Sequence, residues 1–402
     1  MSLQNRAHHI VVLGAGYGGL PCALRLGRAI KSGSGSATHV TLVSKEARQE
    51  LTCELYRTLR TGNPESFPFA KLAQRAGVRF IEGTVHEINP MGQKLQIRGE
   101  RALELPYDTL VVASGGKAVQ PNIEGLEGYL APSGVADQRV FPFRNNLQVQ
   151  ALRLALRRLG WGSSTQGSDD LFVVVLGAGA TGIEVAGELA HLRGRNTNCR
   201  VVLVDSHSEL LPEFSPIARR ILKRELHRRK IETILGSPAV RATDRELHIA
   251  NGQVIPWDLM VVCTGTRPPS LLKSFGASLG AHGLSVGPRL EVKGHPNHYA
   301  IGDALHSNTL SKRAQFAVEE GRFVADLLET KILKGRSVTD RSFEPTDWGY
   351  LVSLGPYSGV GRLGPELKNP LGRLVSPFLA GPAVDSMKRL ARVKYLSQLR
   401  WG

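Results

Sequence analysis

The chain has 402 residues and carries 51 Lys and Arg against 35 Asp and Glu, a formal net charge of +16 at pH 7. That length supports two to three domains without staples, and four scattered cysteines (Cys22, Cys53, Cys199 and Cys263), with neither a CxxC nor a metal-ligand spacing, exclude a disulfide scaffold or zinc site and fit a reducing compartment. No run approaches the ~18 apolar residues that span a bilayer, the few residues before the first strand are too short for a secretory leader, and no aromatic platform accompanies the basic charge, so the expectation is a cytoplasmic protein without a nucleic-acid partner.

In chain order, residues 9–13 are an apolar run that reads as a buried parallel strand. Gly14-Ala15-Gly16-Tyr17-Gly18-Gly19 follows it and opens a helix. In such a strand–turn–helix unit the first glycine makes the turn, the second admits a pyrophosphate to the backbone, and the third lets helix pack on strand. The helix N-terminus then offers N–H groups and a positive dipole end to the phosphates. After the flexible serine–glycine insertion 32–36, residues 38–43 form a second β-rich run ending at Ser44-Lys45-Glu46. Another strand pattern, 107–112, ends in Ala113-Ser114-Gly115.

A second insertion, 162–168, leads into a repeat of the whole unit. Residues 171–176 are apolar, Gly177-Ala178-Gly179-Ala180-Thr181-Gly182 follows, then a β-rich run 199–204 and a strand pattern that ends in Cys263-Thr264-Gly265. A single glycine fingerprint is weak evidence, because glycine-rich turns also serve structure alone; two in matching context point to two nucleotide cofactors. Where copy one has Ser44, with a carboxylate only at Glu46, copy two has Asp205. A carboxylate there accepts hydrogen bonds from ribose hydroxyls and repels a 2′-phosphate, which favours NADH over NADPH. The plainer alternative is an Asp opening a solvated turn.

Further on, an apolar strand pattern ends in Gly302-Asp303. Alone this reads as an ordinary turn; after two fingerprints it resembles the motif of the two-dinucleotide-domain flavoproteins, in which that Asp bonds the ribityl chain of FAD. The resemblance implies an α/β fold with two Rossmann-like dinucleotide-binding domains, the FAD domain interrupted by the NAD domain, plus a small C-terminal membrane-surface region. The expected boundaries are 1–125 and 291–342 for the FAD domain, 126–168 for a connection, 169–290 for the NAD(H) domain and 343–402 for the C-terminal region.

More specific motifs resemble the type II NADH:quinone oxidoreductases, non-proton-pumping flavoproteins of the membrane surface. These are Gly182-Ile183-Glu184-Val185-Ala186-Gly187-Glu188, the segment 54–62, Ala314-Gln315-Phe316-Ala317-Val318-Glu319, and 343–351 with Gly355. The lone Cys53 in the segment where disulfide reductases carry a pair excludes a dithiol relay. The resemblance implies FAD on Gly14, Gly16, Gly19, Ser44, Glu46, Ala113, Gly115, Gly302, Asp303, Ala314 and Gln315. NADH would bind on Gly177, Gly179, Gly182, Asp205 and Gly265. Gln315 and Glu319 would line a quinone site, Glu184 would tune the quinone half-reaction, and no metal is expected. Glu319 stands where the family motif has Gln, and a carboxylate in an apolar pocket is costly unless protonated or paired. For Glu184 the alternative role is a carboxylate stabilising the helix macrodipole.

Residues 387–401 mix five basic residues with Leu, Tyr and a terminal Trp. Such a segment can lie on an anionic bilayer surface, here the inner face of the cell membrane; a helix closing the flavin domain is the competing reading. Two other functions remain open: an NADH-dependent reductase of a small, acidic iron–sulfur carrier protein, and a non-catalytic NADH-sensing flavoprotein. A homodimer is compatible with each.

Overall fold

Apolar runs ending in glycine become strands covered on both faces, the condition under which parallel sheets occur. The computed structural model describes the chain except residues 1–6, 34–36, 130–137, 164–169, 197, 213, 307–311, 365–377 and 402. The N-terminal tip, most of both serine–glycine insertions, and Ser376 and Pro377 of the tail lie outside the described residues.

The first unit opens with β1 (His8–Leu13), α1 (Gly19–Ser32), β2 (Thr38–Ser44), α2 (Leu55–Thr61), β3 (Arg79–Glu82) and β4 (Thr109–Val112). The second comprises β5 (Val140–Pro142), α3 (Asn146–Leu159), β6 (Leu171–Leu176), α4 (Ala180–Leu192), β7 (Cys199–Asp205), α5 (Pro216–Arg228), β8 (Ile231–Leu235) and β9 (Leu259–Val262). The chain then returns through β10 (His298–Ala300) and α6 (Ala314–Leu328). It ends in a small antiparallel sheet, β11 (Gly349–Ser353), β12 (Gly359–Leu363) and β13 (Phe378–Ala380), and the helix α7 (Pro382–Trp401).

Both main sheets are parallel throughout. The first has the order β10-β4-β1-β2-β3 and the second β5-β9-β6-β7-β8. The repeat goes further than the glycine motifs. An antiparallel meander, Thr84–Asn89, Lys94–Arg98 and Ala102–Pro106, stands between β3 and β4. A matching one, Ala239–Ala242, Glu246–Ile249 and Val254–Pro256, stands between β8 and β9. Strand order reverses beside β1 and beside β6, and ligands of open α/β sheets bind at such switch points, outside the carboxyl ends of the strands.

The interrupting unit is displaced towards the N-terminus from the expected 169–290. Segment 126–168, expected as a connection, supplies β5, which pairs with β9, and α3. Phe141, Val149, Leu152 and Leu156 fill the second core. Conversely Leu272, Phe275, Leu284 and Leu290 pack into the first core, so the chain has already returned there well before residue 291. The reason is burial: short apolar patches too brief to declare a strand still go where their area is covered. The hinges pair directly, Lys117–Ala118 antiparallel with Thr266–Arg267.

Candidate functional site

Each fingerprint builds an open turn. Gly14 (φ +105°) follows β1 and Gly177 (φ +101°) follows β6, a left-handed conformation that side chains resist. A Cβ on Gly177 would lie 2.6 Å from the Cys263 carbonyl oxygen, while Gly14 abuts Ala113 in the same way. Gly19 and Gly182 press on the carbonyls of Gly14 and Gly177, whereas Gly16 and Gly179 face open space. No side chain caps either helix and neither has an acidic residue in its first turn. Anion-binding helix ends have this form. The exits from β4 and β9 are equally open: Gly115 (φ +66°) and Gly265 (φ +96°) would meet nothing with a Cβ. The Ser114 hydroxyl between Ala113 and Gly115 is buried without a partner.

The strand ends differ as the sequence implies. Asp205 Oδ2 accepts the Ala178 N–H (2.5 Å), and Oδ1 accepts the backbone N–H (2.7 Å) and ring Nδ1–H (2.8 Å) of His207. Ser44 holds the corresponding place at the end of β2, since Gly14 and Gly177 donate to Val43 and Val204, both at 2.8 Å. Glu46 lies two residues on and is exposed.

Gly302 (φ +65°) and Asp303 form a turn packed against α6, the Gly302 N–H donating to Glu320 at 2.5 Å. Gly321, the next residue of α6, packs against the Gly18 carbonyl, so the first fingerprint and the Gly302-Asp303 turn form one wall. Arg144, just after β5, reaches Asp303 (3.4 Å) from the second unit. Burial pushes the Glu320 carboxyl up to about 7, with the neighbouring Asp303 and Glu319 adding to the rise. Ala314 opens α6, and Gln315 Nε2 lies 3.5 Å from Asp347.

Glu319 does not stand as a lone charge facing an apolar pocket. Its Oε1 accepts the Trp348 indole N–H (2.8 Å) and its Oε2 the Thr346 N–H (2.9 Å), which spends the carboxylate on fastening segment 346–348. Glu184 lies in the second turn of α4, away from the macrodipole's charged end. It accepts the Ser353 N–H (3.1 Å) and forms a buried ion pair with Lys388 of α7. Lys388 also stands 4.0 Å from the centre of the Tyr56 ring. Burial opposes its charge, but Glu184, Tyr56 and Glu54 outweigh burial and hold its ammonium above the usual range. Burial raises Glu54, against the pull of Lys388 and Arg57. One turn beyond Glu184, the fully buried Glu188 pairs with Arg60 at 3.4 Å, and burial pushes it up to about 7.

The rest of α7 is fastened along one stripe. Arg392 pairs with Glu65 (2.8 Å), Tyr395 hydrogen-bonds Gln49, Arg322 donates to Gln398 (2.7 Å) and Arg28 to the Leu399 carbonyl (2.6 Å). Tyr395 also packs on Tyr17 of the first fingerprint, ring centres 5.1 Å apart. The opposite stripe leaves Leu390 and Val393 exposed, with Trp348 beside Lys394. The tail is therefore a helix closing the body, with one face still available to a surface.

Sequence reading singled out the glycines, Asp205, Asp303, Glu184 and the segment 54–62 that holds Glu54 and Tyr56, but gave no site role to Lys388, Glu320, Arg144 or His207. Lys388 is 204 positions from its partner, and no local pattern announces such a pair. All four cysteines are free, and no cluster that could hold a metal ion occurs among the described residues.

Comparison with known proteins agrees with this geometry. Residues 8–321 match the pyridine nucleotide-disulphide oxidoreductase family. A type II NADH:quinone oxidoreductase of Staphylococcus haemolyticus is 27% identical over 384 residues, 88% of this chain and 89% of the relative. Demethylphylloquinone reductase NdbB of Synechocystis is 28% identical over 383 residues, 91% of this chain and 89% of the relative. The structure of NDH2 from Plasmodium falciparum in complex with NADH superimposes with a TM-score of 0.80 at 16% identity, over 98% of this chain and 96% of that one. The chain belongs to the pyridine nucleotide-disulphide oxidoreductase family.

Proposed function

We propose that this protein is an FAD-dependent NADH:quinone oxidoreductase that pumps no protons. The observation that carries the reading is the pair of open glycine turns at the ends of two parallel sheets, only the second of which has a ribose carboxylate, Asp205. The similarity to proteins named for NADH and quinone chemistry supports it.

FAD fits the first unit: Gly16 leaves room for a pyrophosphate, α1 is uncapped, the Ser114 hydroxyl is buried without a partner, and Asp303 offers a carboxylate to a polyol. Gly14, Gly16, Gly19, Ala113, Gly115 and Asp303 would hold it, with Ser44 and Glu46 towards the adenosine end and Ala314 and Gln315 at the start of α6. NADH takes the second unit, on Gly177, Gly179, Gly182, Asp205 and Gly265. Held by these residues, FAD would supply hydride acceptance from NADH and two-electron delivery to an acceptor. The chain's own contribution is orientation and proton handling. Glu184 keeps the Lys388 ammonium charged, and Lys388 Nζ would give its proton to an acceptor oxygen only as that oxygen gains electrons and becomes the stronger base. The balance is NADH, one proton and quinone in, NAD⁺ and quinol out. Gln315 borders the acceptor, and Glu319 acts on that site only through segment 346–348.

No helix among the described residues is long and apolar enough to cross a membrane. The outer stripe of α7, with Leu390, Val393, Arg389, Lys394 and nearby Trp348, rests on an anionic bilayer surface. The test is composition and turnover together. Denatured protein should release FAD, and the native protein should oxidise NADH only when a quinone is supplied. Release of no flavin, or NADH oxidation indifferent to quinone, would overturn the proposal.

A further inference from the structure

Asp205 has less to offer a ribose than its position suggests. A carboxylate has about four acceptor sites, two on each oxygen. His207 fills both on Oδ1, through its backbone N–H at 2.7 Å and its ring nitrogen at 2.8 Å, and Ala178 fills one on Oδ2 at 2.5 Å. One site is left for a diol with two hydroxyls. The same contact fixes the imidazole. An ionised carboxylate can only accept, so Nδ1 carries the proton, and in the neutral ring Nε2 is then an acceptor. The His207 side chain is 81% exposed, so the edge of the imidazole turned away from Asp205 is within reach of a ligand. The loop around it is braced: Gly236 donates to the His207 carbonyl (2.9 Å), Ser237 to the Asp205 carbonyl (3.3 Å), and Glu209 is paired with Arg219.

We propose that His207 completes the adenosine-ribose site, its Nε2 accepting the hydrogen bond of the ribose hydroxyl that Asp205 cannot serve. Asp205 and His207 thus act as a two-residue diol receptor in which the aspartate takes one hydroxyl and orients the imidazole for the other. The inference rests on the reading of Asp205 as the ribose carboxylate.

The test is binding of NAD⁺, 2′-deoxy-NAD⁺ and 3′-deoxy-NAD⁺ to the oxidised, flavin-loaded protein, followed by titration calorimetry in wild type, Asp205→Ala, His207→Ala and His207→Gln. Loss of one net hydrogen bond should weaken NAD⁺ about three- to tenfold in His207→Ala, and His207→Gln, whose amide oxygen accepts, should recover part of it. One deoxy analogue should bind wild type and His207→Ala alike, because the hydroxyl that meets Nε2 is already gone. Equal weakening of NAD⁺ and both analogues would make His207 a mere prop for Asp205 and overturn the proposal. So would NAD⁺ binding by His207→Ala within twofold of wild type while Asp205→Ala binds weakly. If neither substitution matters, the ribose reading of Asp205 fails, and the inference with it.

Discussion

Lys388→Met removes the ammonium from a pair whose side chains are only 10% and 12% exposed, and leaves Glu184 buried with the Ser353 N–H as its remaining partner. Breaking a buried pair from one side costs about 3–5 kcal/mol, because the surviving charge keeps its desolvation penalty. The loss has a definite address. Lys388 is held to α4 while Arg392, Tyr395 and Gln398 are held to the first unit, so the N-terminal half of α7 should loosen first. Amide hydrogen exchange in residues 384–392 reads this directly. At about 1.4 kcal/mol per decade, exchange through local opening should accelerate by about two to four orders of magnitude. Amides of β6 and β1 should keep their wild-type rates. The double variant Glu184→Gln/Lys388→Met, with neither charge, should recover much of the protection. Exchange within threefold of wild type in Lys388→Met, or a double variant no better protected than the single, would refute the buried-pair argument.

Three further outcomes follow from the same charges. Glu184→Gln should slow reoxidation by quinone more than reduction by NADH in separate half-reactions, and equal effects on both would remove Glu184 from proton handling. Glu188 is raised by burial from 4.5 to about 7, so its contribution is fully present below pH 4.5 and is lost as pH rises through 7. Glu188→Gln should therefore be more stable than wild type at pH 8, by up to about 3 kcal/mol less what unpairing Arg60 takes back, with the difference gone at pH 4.5 in urea titrations. His9 runs the opposite way. Burial, then the stacked His39, pulls it from 6.5 down to about 4, so its contribution is present above pH 6.5 and is lost as pH falls through 4. A His9→Gln variant should lose less stability than wild type between those values, by on the order of 3 kcal/mol.

Local chemistry made most of the fold legible. The glycines of both fingerprints, Asp205 and the Gly302-Asp303 turn carry their meaning within a few residues, because a tight turn and an open helix end depend on neighbours in sequence. The limits of the second unit were not legible. β5 is three residues long and is a strand only because β9 lies beside it. The partners of Glu319, Thr346 and Trp348, were not legible for a related reason: they come from a segment with no pattern linking it to α6. The tail's composition suited a bilayer and a protein surface equally. Only the placement of Lys388, Arg392, Tyr395 and Leu399 on one helical stripe, each with a partner on the body, distinguishes the face that docks from the face that does not.

The central claim is tested most directly by two-step stopped flow at the flavin absorbance band, mixing the purified protein first with NADH and then with a soluble short-chain quinone. The account predicts rapid bleaching by NADH and rapid return of colour with quinone. Bleaching that quinone does not reverse, or no flavin band to bleach, would contradict it.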